Sequence, residues 1–155
     1  MKRNVIIALA IVAFVSGQSL GQPKPLPAEL PEVQYLKADT ASTLPFSDAV
    51  RVGHMLYCSG MIGVDSAMHV VPGGIEAETR QALKNIGAVL SRNGSSFDEV
   101  VKCTVMLADI KDWPAVNAIY RGYFRKNRLP ARSAFAASGL ALGARIEIEC
   151  WATVK

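Results

Sequence analysis

The sequence predicts one α+β domain, a sheet carrying two helices on one face. Three observations point there. Five stretches have the composition of strands, and two others repeat their apolar residues at steps of three and four, as helices do. The length of 155 residues suffices for one hydrophobic core but not for two.

Before the domain comes a segment of different character. Residues 1–21, MKRNVIIALAIVAFVSGQSLG, open with Lys2 and Arg3, run apolar from Val5 to Val15, then turn small and polar through Ser16, Gly17 and Ser19. This is the layout of a secretory signal peptide, with cleavage expected near 17–22. The apolar run, about eleven residues, falls short of the ~20 that a spanning helix needs. The expected address is therefore exported, periplasmic or secreted, with no stable membrane association after cleavage. Residues 22–44 read as a Pro-rich leader, because the four prolines between 22 and 31 lack amide donors and cannot join the middle of a sheet. The domain is expected over 45–155.

Within it, 45–52 and 54–64 read as strands joined by a turn at Gly53. In HMLYCSGMIGV both parities are apolar, Leu56, Cys58 and Ile62 against Met55, Tyr57 and Met61, which predicts a strand covered on both sides. After VVPGG, residues 75–92 form an amphipathic helix whose buried face is Thr79, Ala82, Leu83, Ile86, Val89 and Leu90, stopped by Asn93 and Gly94. Residues 101–107 alternate Val101, Cys103, Val105 and Leu107 with Lys102, Thr104 and Met106, as a strand does. Asp112 is placed to cap a second helix with the stripe Val116, Ile119, Tyr120 and Phe124. Residues 131–137 and 144–154 supply the last strands. Two helices cover only one sheet face, so Met55, Tyr57, Met61, Met106 and Trp151 are left as an apolar surface of the kind that marks an interface. A homo-oligomer packed sheet to sheet is expected.

Charge and cysteine content exclude several classes. The formal charge of +4 includes Lys2 and Arg3, and removing those two leaves +2, too little to argue for nucleic acid. The basic stretch RGYFRKNR fits the solvated side and end of the second helix, where positive charge suits the helix dipole. Cys58, Cys103 and Cys150 lack the short paired spacing of a zinc site, and read as small buried apolar residues, although an oxidising compartment would permit one disulfide. No metal is expected. His54 and His69, each in a turn, sit in no ligand or triad spacing and read as surface residues. Ser59 lacks the nucleophile-elbow pattern.

Arg132 interrupts the small and apolar run of PARSAFAA, and Glu147 and Glu149 alternate with Ile146, Ile148 and Cys150. A guanidinium in such a strand requires an anion. Two readings stand side by side: an internal ion pair with Glu147 or Glu149, or a site for an acidic ligand, whose carboxylate the planar fork of Arg matches with two parallel hydrogen bonds.

PFSDAVRVGHMLYCSGMIG, VKCTV, DWPAVNAIYRGYF, and PARSAF followed by IEIE together resemble the RidA (reactive intermediate deaminase, YjgF) family over about 45–155. The resemblance implies a chorismate-mutase-like fold, a mixed six-stranded sheet with two helices on one face, assembled as a homotrimer with ligand sites between subunits. It implies hydrolysis of short-lived enamines and imines to 2-oxo acids and ammonia without a metal or organic cofactor. Arg132 falls on the family's carboxylate-binding arginine, and Glu147 on the glutamate that holds the attacking water. Ser59, Gly60 and Asn117 match residues of the family's cleft, and Ser133 follows the arginine. Many members carry a tyrosine where this chain has Phe46 and a cysteine where it has Ala134, so both positions belong to the implied substrate-binding set as departures. The exported address is unusual for a family whose familiar substrates arise from cytoplasmic pyridoxal phosphate enzymes. The alternative from a different class is a noncatalytic trimer that binds small carboxylates or a protein partner.

Overall fold

Gly53, with a φ of +56°, turns the chain back on itself between two strands, a backbone conformation that costs glycine little. The hairpin it closes, β2 (Ala49–Val52) against β3 (Met55–Cys58), begins the main sheet. The computed structural model describes residues 29–41 and 43–155. The signal-peptide reading of 1–21, and the prolines of the leader before 29, lie outside the described residues.

The described strands number seven: β1 (Val33–Leu36), β2, β3, β4 (Met61–Ile62), β5 (Val100–Leu107), β6 (Ala131–Ala136) and β7 (Ile146–Thr153). Their order is β1-β2-β3-β7-β5-β6, with β4 added on β7. All pairs are antiparallel except β5 with β6. A parallel pair needs a crossover, which α2 (Trp113–Tyr120) supplies between those strands. The sheet is thus mixed, as expected, with one strand more than the resemblance implies.

Two differences raise the five stretches read from the sequence to the seven strands found. Residues 22–44 are not leader throughout, because Val33–Leu36 pairs with β2 as an edge strand, beyond the prolines that would forbid it. The expected strand over 54–64 is broken into β3 and β4 at Ser59 and Gly60. Met55 pairs with Thr153 and Tyr57 with Trp151, a register that would set Met61 opposite Glu147 if it ran on unbroken. Instead Met61 pairs with Ile148 and Ile62 with Glu147. One residue more has entered the β3–β4 side than β7 opposes, the signature of a β-bulge, and every later side chain changes face. Met61 therefore turns to the core rather than to the open face, and Ile62 leaves the face of Leu56 and Cys58.

Cross-strand pairing aligns Leu56, Ala152, Cys150, Ile148, Ile146, Cys103, Val105 and Leu107 on one face, all at or near zero exposure. Helix α1 (Gly74–Arg92) lays Ala82, Leu83, Ile86, Val89 and Leu90 against them, and α2 adds Val116, Ile119 and Tyr120, with Phe124 just beyond its end. Both helical stripes are those that the sequence periodicity predicts. Asp112 differs from expectation: it occupies the cap position of α2 without a side-chain capping bond. Asp109 does the capping one turn earlier, its carboxylate accepting from the Lys111 amide at 2.9 Å at the start of the 3-10 turn Ile110–Asp112.

The opposite face carries Met55, Tyr57, Met106, Phe135 and Trp151, uncovered by either helix. Trp151 is 40% and Phe135 48% exposed, and Tyr57 meets Trp151 edge to face at 5.2 Å. Among the described residues, no helix is long and apolar enough to cross a membrane.

Ile86 sits fully buried where α1 meets the sheet. Ile86→Ala is expected to lose about 2–5 kcal/mol of stability, measured by urea unfolding, because the rigid sheet beneath it cannot close the cavity left behind.

Candidate functional site

The bulge determines what lies beside Glu147. A side-chain carbon added to Gly60 would stand 1.8 Å from Glu147 Oε1, so the carboxylate occupies the space that only a glycine leaves free. Ser59 is tied down next to it, its hydroxyl donating to the Ser47 carbonyl at 2.7 Å and its amide to the Asp48 carbonyl at 2.9 Å. Glu147, Ser59, Gly60 and Phe46 line one open cavity of about 1130 Å³. Four of the residues singled out in the sequence are thus gathered at one place.

The remaining four lie elsewhere. Arg132 is on β6, the edge strand, in register with Cys103 and on the helix side of the sheet. Its guanidinium lies over the Tyr120 ring, 4.7 Å from the centroid. Asn117 is half-buried on the same helix as Tyr120. Ser133 faces the other way on β6 and accepts from Lys102 Nζ at 2.8 Å, whereas Ala134 returns to the helix side and packs on the core.

Glu147 pairs with Met106 on the open face, so Arg132 and Glu147 project from opposite faces of the sheet. They are also two strands apart, about 10 Å between backbones at the usual strand spacing. The internal ion pair, one of the two readings the sequence left open, is therefore not formed. Glu149 accepts instead from Trp151 Nε1 at 2.7 Å, and among the described residues no carboxylate lies within 4.0 Å of Arg132.

Around Arg132 the electrostatics are those of a shielded cation. Burial first, and then the neighbouring Cys103, raise the Tyr120 phenol above its usual range, so the ring beneath the guanidinium stays neutral. The polar neighbour of the buried Tyr120 hydroxyl is the Cys103 thiol. What the arrangement offers is a half-buried guanidinium with no carboxylate within 4.0 Å among the described residues, and a separate cavity holding a carboxylate and a hydroxyl.

Other wall residues of the cavity were not singled out in the sequence. Gln81, Asn85, Ala88 and Arg92 recur at steps of three and four along α1, beside the stripe assigned to the core. That second helical face was the available signal. Arg92 makes an ion pair with Asp48 at 3.6 Å, joining α1 to the start of β2 at the cavity rim. Leu142, in the loop before β7, lines the wall with a φ of 56°, a conformation uncommon for a residue with a side chain. His54 and His69 are exposed, as the sequence predicts, and neither lines the cavity.

A family model described as Endoribonuclease L-PSP matches residues 37–154. The chain is 50% identical over 106 residues to the human 2-iminobutanoate/2-iminopropanoate deaminase, an alignment covering 68% of this chain and 77% of the human one. It is 51% identical over 105 residues to the rat protein of the same name, covering 67% and 76%. Among solved structures it resembles RidA from an Antarctic Psychrobacter with a TM-score of 0.69 at 29% identity, over 81% of this chain and 99% of that one.

Because the atom nearest to a new Gly60 side chain is the far end of a flexible carboxylate, Gly60→Ala is expected to turn Glu147 away rather than to unfold the chain. Urea unfolding should stay within about 1 kcal/mol of the parent, while a crystal structure of the variant shows the carboxylate displaced.

Proposed function

Since the chain belongs to the RidA (YjgF) family, matched here as Endoribonuclease L-PSP, we propose that it is a 2-iminobutanoate/2-iminopropanoate-type deaminase, hydrolysing reactive enamine and imine intermediates to 2-oxo acids and ammonia. The observation that carries the reading is the separation of Arg132 from Glu147. Each lacks an ionic partner among the described residues, and the two point to opposite sides of one sheet. A three- or four-carbon substrate cannot reach both within one chain. The edge position of β6 and the uncovered apolar face support a homotrimer in which Arg132 of one copy meets the Glu147 cavity of the next.

In that arrangement Arg132 holds the substrate carboxylate, with Asn117 and Ala134 on the same side of the sheet and Ser133 contributing through its backbone amide rather than its hydroxyl, which faces the other way. Phe46, Ser59 and Gly60 wall the reacting end. An imine carbon is already electrophilic, so the protein has to hold the anion, place a water and move a proton. Glu147 takes a proton as the water oxygen bonds to the imine carbon, and returns it to the nitrogen. Glu147 then carries the hydroxyl proton of the resulting carbinolamine to its nitrogen, and the C–N bond breaks to leave a ketone and release ammonia. None of these steps calls for a cofactor, and the partners are small 2-imino and 2-oxo carboxylates and other copies of the same chain rather than nucleic acid. Phe46 offers no hydroxyl to share in proton transfer, which places that work on Glu147.

Arg132→Ala is expected to cut 2-oxo acid release at least about 100-fold, since a bidentate charge-assisted contact is lost. Glu147→Gln should keep carboxylate binding and slow turnover by about 10²–10⁴-fold. The assay generates imines with an amino-acid oxidase, and sedimentation checks that both variants remain trimers. Release unaffected by the parent protein across several amino acids would favour a carboxylate-binding role, and an Arg132→Ala variant that falls apart would make the arginine structural.

We also infer that the chain is exported, on the strength of Lys2 and Arg3, the apolar run to Val15 and the small residues after it. N-terminal sequencing of the protein from fractionated cells should then give a mature start between 18 and 22, whereas a chain retaining Lys2 contradicts export with cleavage.

A further inference from the structure

Three strands carry one cysteine each on the core-facing side of the sheet: Cys58 on β3, Cys150 on β7 and Cys103 on β5. Their surroundings are not equivalent. Cys103 and Cys150 are directly opposed partners in the β5–β7 register, and their sulfur atoms are 2.9 Å apart. Opposed residues in an antiparallel pair have Cα atoms about 4.5 or 5.5 Å apart, and both separations lie inside the range that a disulfide spans without moving the backbone. Cys58 has Ala49 as its partner in the β2–β3 register.

We propose that Cys103 and Cys150 form a disulfide across β5 and β7 when the chain folds in an oxidising compartment, leaving Cys58 as the free thiol. The electrons go to a small-molecule disulfide of the glutathione class or to a dithiol oxidase. One cysteine thiolate attacks the oxidant's sulfur, the other displaces it from the mixed disulfide, and two protons and two electrons leave the protein as two oxidant thiols. Both sulfurs are fully buried in the finished fold, so the bond closes while the strands are still pairing. Register brings the two thiols together once β5 and β7 pair.

The surroundings favour this pair over one with Cys58. The hydrogen bond from Cys150 lowers the Cys103 thiol, with further help from Tyr120 and Arg132, while the same hydrogen bond and burial raise Cys150. Any negative charge in the pair thus falls on Cys103, beside the guanidinium. Burial pushes the Cys58 thiol up to about 12, which keeps it protonated and a poor nucleophile. The bond would join the strand that pairs with the Arg132 edge strand to the strand that carries Glu147.

The test unfolds and reduces the purified chain, refolds it in a mixture of reduced and oxidised glutathione, and alkylates it under denaturing conditions. One alkylated cysteine in place of three, a peptide map linking 103 to 150, and a melting temperature about 5–15 °C above that in dithiothreitol are expected. Cys103→Ser should then show no intramolecular bond. Three alkylated cysteines in fully refolded protein, or a bond that includes Cys58, would overturn the proposal. Should refolding give no folded protein, the same count on native protein treated with copper phenanthroline decides: a 103 to 150 bond supports it, and its absence after the oxidant has access at mild denaturant overturns it.

Discussion

A guanidinium that has left much of its water behind, lies on an aromatic ring and finds no carboxylate among the described residues is an incomplete interaction. Arg132 is held that way on an edge strand, with Tyr120 beneath it and Cys103 alongside. The ring contributes a favourable quadrupole but no counter-charge. The ion pairs elsewhere in the chain, such as Arg92 with Asp48 or Arg145 with the buried Glu78, show that this chain does supply acids to arginines. Arg132 alone of these three arginines is given no ion pair among the described residues.

The second constraint is steric. Glu147 alternates along β7 like any strand residue, and alternation by itself would aim it at a neighbouring strand's side chain. The extra residue at Ser59 and Gly60 shifts the register of β4, and the missing side chain of Gly60 makes room for the carboxylate at the cavity wall. A bulge beside Glu147 is a local loss of ladder regularity that re-aims one group. The same shift draws Met61 into the core, so the open face is less apolar there than alternation predicts.

Much of this was legible in the chain. Both helices announced themselves by periods of three and four, and the residues so marked, from Leu83 and Ile86 to Val116 and Ile119, are those found buried. The motif set around PARSAF and IEIE pointed to the family that the comparison with known proteins bears out. What went astray did so for identifiable reasons. Val33–Leu36 is a short strand, with Val33 and Tyr35 exposed, sitting in the shadow of a proline-rich segment. Asp112 precedes the second helix in sequence, but only the geometry of the preceding 3-10 turn shows that the capping bond is made by Asp109.

Sequence alone determined the class of fold and the core faces of the helices, and nominated candidate site residues, because periodicity and motif spacing act over a few neighbouring positions. Only the tertiary structure decided that Arg132 and Glu147 lie on opposite faces, that Met61 belongs to the core, and that Cys103 stands against Cys150. Each of those depends on which strand lies beside which and in what register. Register is a property of two distant segments at once, and a one-residue bulge, invisible in local composition, reverses every side chain that follows it.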